Sequence, residues 1–425
     1  MTIHFPWFGT LTEPTLRILL VNTFHFRGGG DSTYAFNLAD LLRSNGHDVA
    51  FFAMHDPRNL PDCNADLFVS HIDFRRLNQR KSPVSALKVA ARSIYSVEAR
   101  GKFTQLLGRF QPHLVHLQNI HAHITPSVIM EAKKRGLPVV WTLHDYKLIC
   151  PNSHFLIDKT GTICEACGND KYYQGILKRC KKGSFLASSM AAAEAYAHQL
   201  LGIRCKVDAF LAPSKFLRKK LLDRGFPKES VHHLPLLLDR NAFHISTTND
   251  RYLLFLGKLD AIKGIQILLD ACRLAPDVKL VIAGRVEEPL ASRLPALLPS
   301  NARYVGMKHG DDLRSLLRNA LAVIVPSLWY ENQPYSILEA FASGKPVIAS
   351  DLGGMKELVA NNERGLLVPP GQVNALANAM SWIVQHPLDA RRMGEGAYAY
   401  ASAEHTPERH YERLLRIYRE VGAIQ

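Results

Sequence analysis

Short apolar runs recur along this chain with helical stretches between them, and that alternation constrains the fold more than any other feature. Arg17–Phe24 (RILLVNTF) reads as a buried strand. It is followed by Gly28, Gly29 and Gly30, a helical stretch over about Ser32–Ser44 closed by Asn45-Gly46, and a second strand at His47–Ala53. Leu114–Leu117, Pro138–Leu143 and Ala209–Ala212 continue the series. Strands separated by helices indicate a parallel sheet, because parallel neighbours need crossover connections. The same grammar resumes at Tyr252–Leu256 and runs through Val278–Ala283, Ala302–Val305, Ala322–Val325 and Pro346–Ala349. Between the two series, Pro235–Asp250 turns polar and loses periodicity, so the domain boundary is placed there. The expected fold class is α/β: two doubly wound, Rossmann-like domains at residues 1–238 and 239–407, followed by a terminal segment at 408–425. Ligands of such sheets bind outside the carboxyl ends of the strands, which puts the expected site in the cleft between the domains.

Composition narrows the class. With 47% hydrophobic and 21% charged residues the chain is not a disordered one. No window reaches the roughly 18 uninterrupted apolar residues of a membrane span. Met1–Leu20 lacks the basic flank and long apolar core of a signal peptide, so a cytoplasmic protein is expected. The formal net charge is +14, and it is unevenly spread: residues 1–240 hold 32 basic and 19 acidic side chains, the remainder 20 and 19. A basic first half suits an anionic membrane surface or phosphorylated substrates. Basic runs at Arg75–Lys81 and Lys178–Lys182, beside a helix expected over Pro83–Leu107, could anchor such a protein peripherally at the inner face of a membrane, although for the helix alone a solvated helix packed on its sheet is the better reading. Nucleic acid is the weakest of the three partners, because no binding motif or Arg-aromatic stacking run accompanies the charge.

Two segments carry candidate chemistry. In Pro326–Gly354 (PSLWYENQPYSILEAFASGKPVIASDLGG), Glu331 and Glu339 are eight residues apart. A helix starting near Pro334 would leave Glu331 in the loop before it and Glu339 just over one turn inside, with unpaired N–H groups offered to an anion between them. A capped surface helix explains the same spacing. In Gly257–Gly264 (GKLDAIKG), Lys258 and Lys263 follow a buried strand, where two ammonium groups could neutralise a diphosphate. Solvated surface lysines are the alternative. No D-x-D pair occurs in the chain, so a metal-chelated diphosphate has no support in the sequence and the lysines are the plausible substitute.

Taken together, the E-x7-E pair, the G-K-L-x-x-x-K-G stretch and the PVIASDLGG run at Pro346–Gly354 resemble family 4 glycosyltransferases over nearly the whole chain. The resemblance implies a GT-B fold and a retaining hexosyltransferase. Its nucleotide-diphosphate-sugar donor would be held by the second domain and a glycan or lipid-linked acceptor by the first. It implies a role in cell-surface polysaccharide synthesis, no cofactor for catalysis, and a terminal helix (amphipathic His410–Val421) that crosses back to the first domain. Lys258 and Lys263 would hold the pyrophosphate, although the family more often has Arg where Lys258 stands. Glu331 would contact the transferred sugar and Glu339 the ribose. The backbone around Gln333, Pro334, Tyr335, Ser336 and Ile337 would complete the pocket, with Asn332 where the family often has Gly. His144, at the end of the strand Val139–Leu143, would contact the donor sugar, Gly257 would belong to the donor site, and the glycine loop with Gly29 and Gly30 would let backbone approach the diphosphate; a simple strand-to-helix turn explains the same glycines. A nucleotide-sugar epimerase, a phosphorylase-like enzyme on the same fold and a non-enzymatic basic binding protein are the other readings.

Four of the seven cysteines cluster: Cys150, then Cys164 and Cys167 as C-x-x-C, then Cys180. Their spacing, with a hairpin turn at Lys159-Thr160-Gly161, makes residues 148–183 a candidate Cys-rich insertion with one structural zinc. Four reduced thiols in an ordinary insertion fit the same pattern.

Overall fold

The structure, a computed structural model, describes residues 14–71, 92, 94–121, 123–238, 243, 245 and 252–424. Two parallel six-stranded sheets form its frame. The first contains β1 (Arg17–Val21), β2 (Asp48–Phe52), β3 (Leu114–Leu117), β4 (Val139–Thr142), β7 (Ala209–Ala212) and β8 (Val231–His233), in the order β2-β1-β3-β4-β7-β8. The hairpin β5 (Leu156–Ile157) and β6 (Thr162–Ile163) stands apart from it. The second sheet contains β9 (Tyr252–Leu256), β10 (Lys279–Ala283), β11 (Ala302–Tyr304), β12 (Ala320–Val325), β13 (Val347–Ser350) and β14 (Gly365–Val368), in the order β11-β10-β9-β12-β13-β14. β1, β3, β4, β7, β12 and β13 are almost wholly buried, as expected of strands covered on both faces by helices.

Strand order reverses between β1 and β3 in the first sheet and between β9 and β12 in the second. At such switch points neighbouring crossovers leave on opposite faces and open a crevice at the carboxyl ends. β1 leads into the glycine loop, β9 into Gly257, and β12 into Pro326–Glu331, so both crevices receive the segments singled out by the sequence.

The helix Pro407–Glu420 lies against the first domain. Tyr418 Oη meets His116 Nδ1 at 2.7 Å, His410 Nε2 meets Tyr34 Oη at 3.1 Å, and Tyr411 Oη meets His47 Nε2 at 2.8 Å. One apolar cluster runs from Ile18 and Leu20 through Leu234 and Leu236–Leu238 to Val323, Ile337, Leu414 and Tyr418. The two sheets and the terminal helix therefore share a core.

Two expectations need correction. The helix expected unbroken over Pro83–Leu107 is interrupted. Ser96 is extended and caps a new helix, Val97–Phe110, its Oγ accepting the Ala99 N–H at 3.1 Å. Residues 83–91 and the basic run Arg75–Lys81 lie outside the described residues, as does most of the boundary stretch. The strands β8 and β14 were not anticipated. No helix among the described residues is long and apolar enough to cross a membrane.

Candidate functional site

A cavity of about 680 Å³ lies between the domains. Gly28–Asp31, Asn119, His144 and Asp145 line it from the first domain; Gly257, Lys258, Lys263, Arg285, Ser327, Trp329, Glu331 and Glu339 line it from the second.

Glu331 faces it because three constraints fix the loop after β12. Its Oε1 accepts from Lys263 Nζ at 2.5 Å, Ser327 Oγ at 2.8 Å and Trp329 Nε1 at 2.9 Å. Its other oxygen takes no hydrogen bond among the described residues. Behind the loop, the Gly354 N–H donates to Glu331 O at 2.8 Å, and a Cβ at Gly354 would lie 1.6 Å from Asn332 O. The glycine pair ending PVIASDLGG thus lets two backbones pack where no side chain fits. Gly264 does the same below Lys263: it has φ +75°, and a Cβ there would lie 2.0 Å from Pro326 O. The third constraint comes from the first domain. Asn332 accepts from Ser214 Oγ at 2.5 Å and donates to Leu143 O at 3.0 Å. Tyr330 donates to Glu165 at 2.9 Å and packs on Phe216 and Phe155.

The helix Tyr335–Ala342 opens toward the cavity, where Pro334, Tyr335 and Ser336 line it. The backbone N–H groups of Tyr335 and Ser336 make no hydrogen bond among the described residues, so the helix presents free donors to an anion. Gln333 lines the cavity too, although its Oε1 is taken by the Leu236 N–H at 2.6 Å. Ile337 does not line it: its N–H is spent on Pro334 O at 3.1 Å and its side chain is buried in the shared core. The resemblance placed its backbone with that of Gln333–Ser336, but the helical turn carries Ile337, Leu338 and Phe341 inward.

Lys258 and Lys263 both line the cavity, each already paired with acid. Lys258 meets Asp260 at 3.2 Å and Glu287 at 3.3 Å, while Lys263 holds Glu331. Arg285, just after β10, is a third cation that sequence reasoning missed. Its signal was the one that identified Lys258: a basic residue next to a glycine at the end of a buried strand. Glu339 is half-buried with no ion-pair partner among the described residues, and burial lifts its carboxyl to about 7.

On the first-domain side, His144 Nε2 meets Gln118 Oε1 at 2.8 Å; burial lowers its pKa against the opposing pull of Asp31 and Asp145, which favours the neutral ring. Nε2 then carries the proton, because the amide oxygen can only accept. Burial opposes ionisation of Asp145, yet His121 and the Lys147 N–H outweigh it and hold its pKa at about 2. Gly29 and Gly30 open the helix Gly30–Ser44, and a Cβ at Gly30 would lie 3.4 Å from the Tyr335 ring. Asp31, also missed from sequence, accepts from Asn119 Nδ2 at 3.0 Å and puts a carboxylate beside this loop.

Cys150, Cys167 and Cys180 are buried, Cys164 is partly exposed, and all four are unpaired thiols. They occupy one region: a Cβ at Gly175 would lie 3.2 Å from Cys180 Sγ and 4.0 Å from Cys167 Sγ. Burial first, then Cys150, Cys180 and Cys164 nearby, pushes the Cys167 thiol up to about 12. Among the described residues no group of three or more His, Cys, Asp or Glu side chains is arranged to hold a metal ion. The insertion does have a place in the site. Its Glu165 holds Tyr330, and His154 lies edge-on to Trp329 with ring centroids 5.1 Å apart.

Comparison with known proteins agrees with this arrangement. Residues 29–236 match the family described as "Glycosyl transferase 4-like domain", and residues 240–400 match "Glycosyl transferases group 1". The phosphatidyl-myo-inositol mannosyltransferase of Mycobacterium tuberculosis is 25% identical over 93% of this chain and 94% of its own. The D-rhamnosyltransferase WbpZ of Pseudomonas aeruginosa is 34% identical over 41% of this chain and 45% of its own. Among solved structures, sucrose-phosphate synthase from Thermosynechococcus elongatus superposes with a TM-score of 0.69 at 20% identity, covering 96% of this chain and 99% of its own. Anabaena Alr3699/HepE in complex with UDP and glucose gives 0.68 at 17%, covering 95% and 100%. The fold is GT-B.

Proposed function

The chain belongs to the group 1 and 4-like glycosyltransferases, and from that premise we propose that it moves a sugar from a nucleoside-diphosphate donor to a glycan or lipid-linked acceptor, with retention, in polysaccharide or glycolipid synthesis. The observation that carries the reading is the pairing of Glu331 with a helix N-terminus. A carboxylate with one oxygen unclaimed faces the same cavity as two free backbone N–H groups and three cations. A sugar hydroxyl suits the first, and a diphosphate suits the rest.

Departure of the diphosphate builds negative charge on the leaving group and oxocarbenium character on the sugar. Lys258, Lys263, Arg285 and the Tyr335–Ala342 N-terminus would stabilise the leaving group electrostatically, because they are oriented before the reaction. Glu339 would receive the ribose hydroxyls. The three donors on Glu331 Oε1 lower its nucleophilicity and fix its direction, which favours same-face attack by the acceptor over double displacement. On that route the departing phosphate takes the acceptor proton. The Asp31 carboxylate makes the glycine loop a poor diphosphate contact and a better one for hydroxyls, so Gly29 and Gly30 belong with the sugar or acceptor side. His144, neutral and donating through Nε2 to Gln118, keeps Nδ1 as an acceptor for a sugar hydroxyl. The relatives' names support the acceptor class: one mannosylates phosphatidyl-myo-inositol.

Thermal shift against a panel of nucleotide sugars tests the donor. A donor at a hundred times its Kd stabilises the folded state by about 2.7 kcal/mol. The wild type should respond to one base and the Lys258→Met/Lys263→Met variant should not. No response to any member of the panel would overturn the reading.

A further inference from the structure

Six of the twelve large apolar side chains exposed among the described residues fall within residues 173–200, in the Cys-rich insertion and the helix Phe185–Leu200 that follows it. Leu177 is 71% exposed, Phe185 61%, Leu186 67% and Leu200 89%. Along the helix, Leu186, Met190, Ala193, Ala197 and Leu200 succeed one another at steps of four and three, the spacing of one face. That face carries no charge. The helix has one acidic and one basic residue, and both turn inward: Glu194 to Lys147 at 2.8 Å, and His198, which is 9% exposed. A surface helix that keeps its charges inside and its leucines outside is built for contact.

The surroundings say with what. Between Leu177 and Phe185 the turn exposes Lys178, Arg179 and Lys182, none of them in an ion pair among the described residues. No acidic residue occurs from Lys171 to Ala193. Asp158 accepts the Lys182 N–H and an amide proton of Asn152. Apolar side chains flanked by free cations are complementary to an anionic bilayer, where the former enter the acyl boundary and the latter meet headgroup phosphates. A second copy of this chain would bring the same cations against them.

We propose that the Leu177–Leu186 turn and the outer face of the Phe185–Leu200 helix form the surface by which this protein docks on an anionic lipid bilayer. The same insertion holds Tyr330 through Glu165, one residue before Glu331, so docking fixes the cleft at a set height above the membrane. In purpose the inference rests on the proposed lipid-linked acceptor; in geometry it does not.

The test is co-sedimentation of the full chain with vesicles of phosphatidylcholine mixed with phosphatidylglycerol, against phosphatidylcholine alone. The wild type should pellet with the mixed vesicles only, and added salt should weaken it. At about fivefold per cation, Lys178→Gln/Arg179→Gln/Lys182→Gln should lose on the order of a hundredfold in affinity. Leu177→Ser/Phe185→Ser/Leu186→Ser should lose binding as well, and both variants should keep the wild-type melting temperature and nucleoside-diphosphate affinity. Wild type that ignores the mixed vesicles, or binds them undiminished in both variants, overturns the proposal. So does a dimer in sedimentation velocity that the serine variant dissociates, because it would assign the face to self-association. Loss of nucleotide binding with vesicle binding intact would refute the donor reading and leave this one standing.

Discussion

Replacing Gly354 with alanine isolates the contact on which the position of Glu331 depends. The added Cβ would lie 1.6 Å from Asn332 O, whereas ordinary contact begins near 3.4 Å. Either the Glu331–Asn332 backbone or the Gly354 turn must therefore retreat by about 1.8 Å. Movement of the turn is opposed by Met355 and Leu358, both buried in the shared core, so the loop is the softer side. A displacement of about 1 Å in a reacting group costs about a hundredfold in rate. Gly354→Ala should accordingly lose at least that in kcat/KM and about 1–3 kcal/mol in stability, as for other overpacked sites. Gly108→Ala is the control: it sits inside the helix Val97–Phe110 with nothing within 4 Å of its added Cβ, and should gain about 1 kcal/mol. Donor turnover and urea unfolding on both variants decide the matter. Wild-type turnover in Gly354→Ala would refute the claim that backbone packing, not side-chain bonding alone, aims Glu331.

Three further outcomes follow from the same structure. Glu339 has a folded pKa of about 7 against an ordinary value of 4.5, so the unfolded chain gives up this proton first and its contribution to stability fades as pH rises from 4.5 to 7. Glu339→Gln should therefore raise the melting temperature at pH 7 but not at pH 4.5, and flatten a donor affinity that otherwise strengthens with pH through 7; equal shifts at both pH values would contradict this. Tyr418→Phe leaves buried His116 Nδ1 without its partner, costing about 1–3 kcal/mol in urea unfolding, and an unchanged midpoint would deny the terminal helix its polar anchor. Zinc bound by the four cysteines, expected from their spacing, calls for metal analysis of protein purified without added zinc: a stoichiometric content lost in Cys164→Ser/Cys167→Ser supports it, and negligible zinc in both excludes it.

The legible parts of the sequence were those fixed by local pattern. Strands buried on both faces, such as β4 and β12, appeared within one or two residues of their ends, because a continuous apolar run has no other use in a parallel sheet. β8 escaped because two of its three residues are histidines. β14 escaped because it opens on Gly365, where a Cβ would lie 1.9 Å from Val347 O; a residue that reads as a breaker is there for a close backbone approach. In the site, the acids and lysines were visible because their spacing is short and their chemistry distinctive. Asn332, bonded across the cleft to Ser214 and Leu143, and Tyr330, seated against Phe216, were not, since those contacts join segments more than 100 residues apart. The same closure brings Asp31 into the cleft beside the glycine loop, and that carboxylate is the reason the loop is proposed to meet hydroxyls instead of the diphosphate.

The central claim is that this cleft transfers a sugar through a site organised around Glu331. Release of nucleoside diphosphate from the donor selected by thermal shift, followed with and without a panel of glycan and polyprenyl-phosphate-linked acceptors, tests it most directly. Release by the wild type is expected only when one acceptor class is present, and none by Glu331→Ala that still binds the donor. Equal release without acceptor, or full turnover in Glu331→Ala, would contradict it.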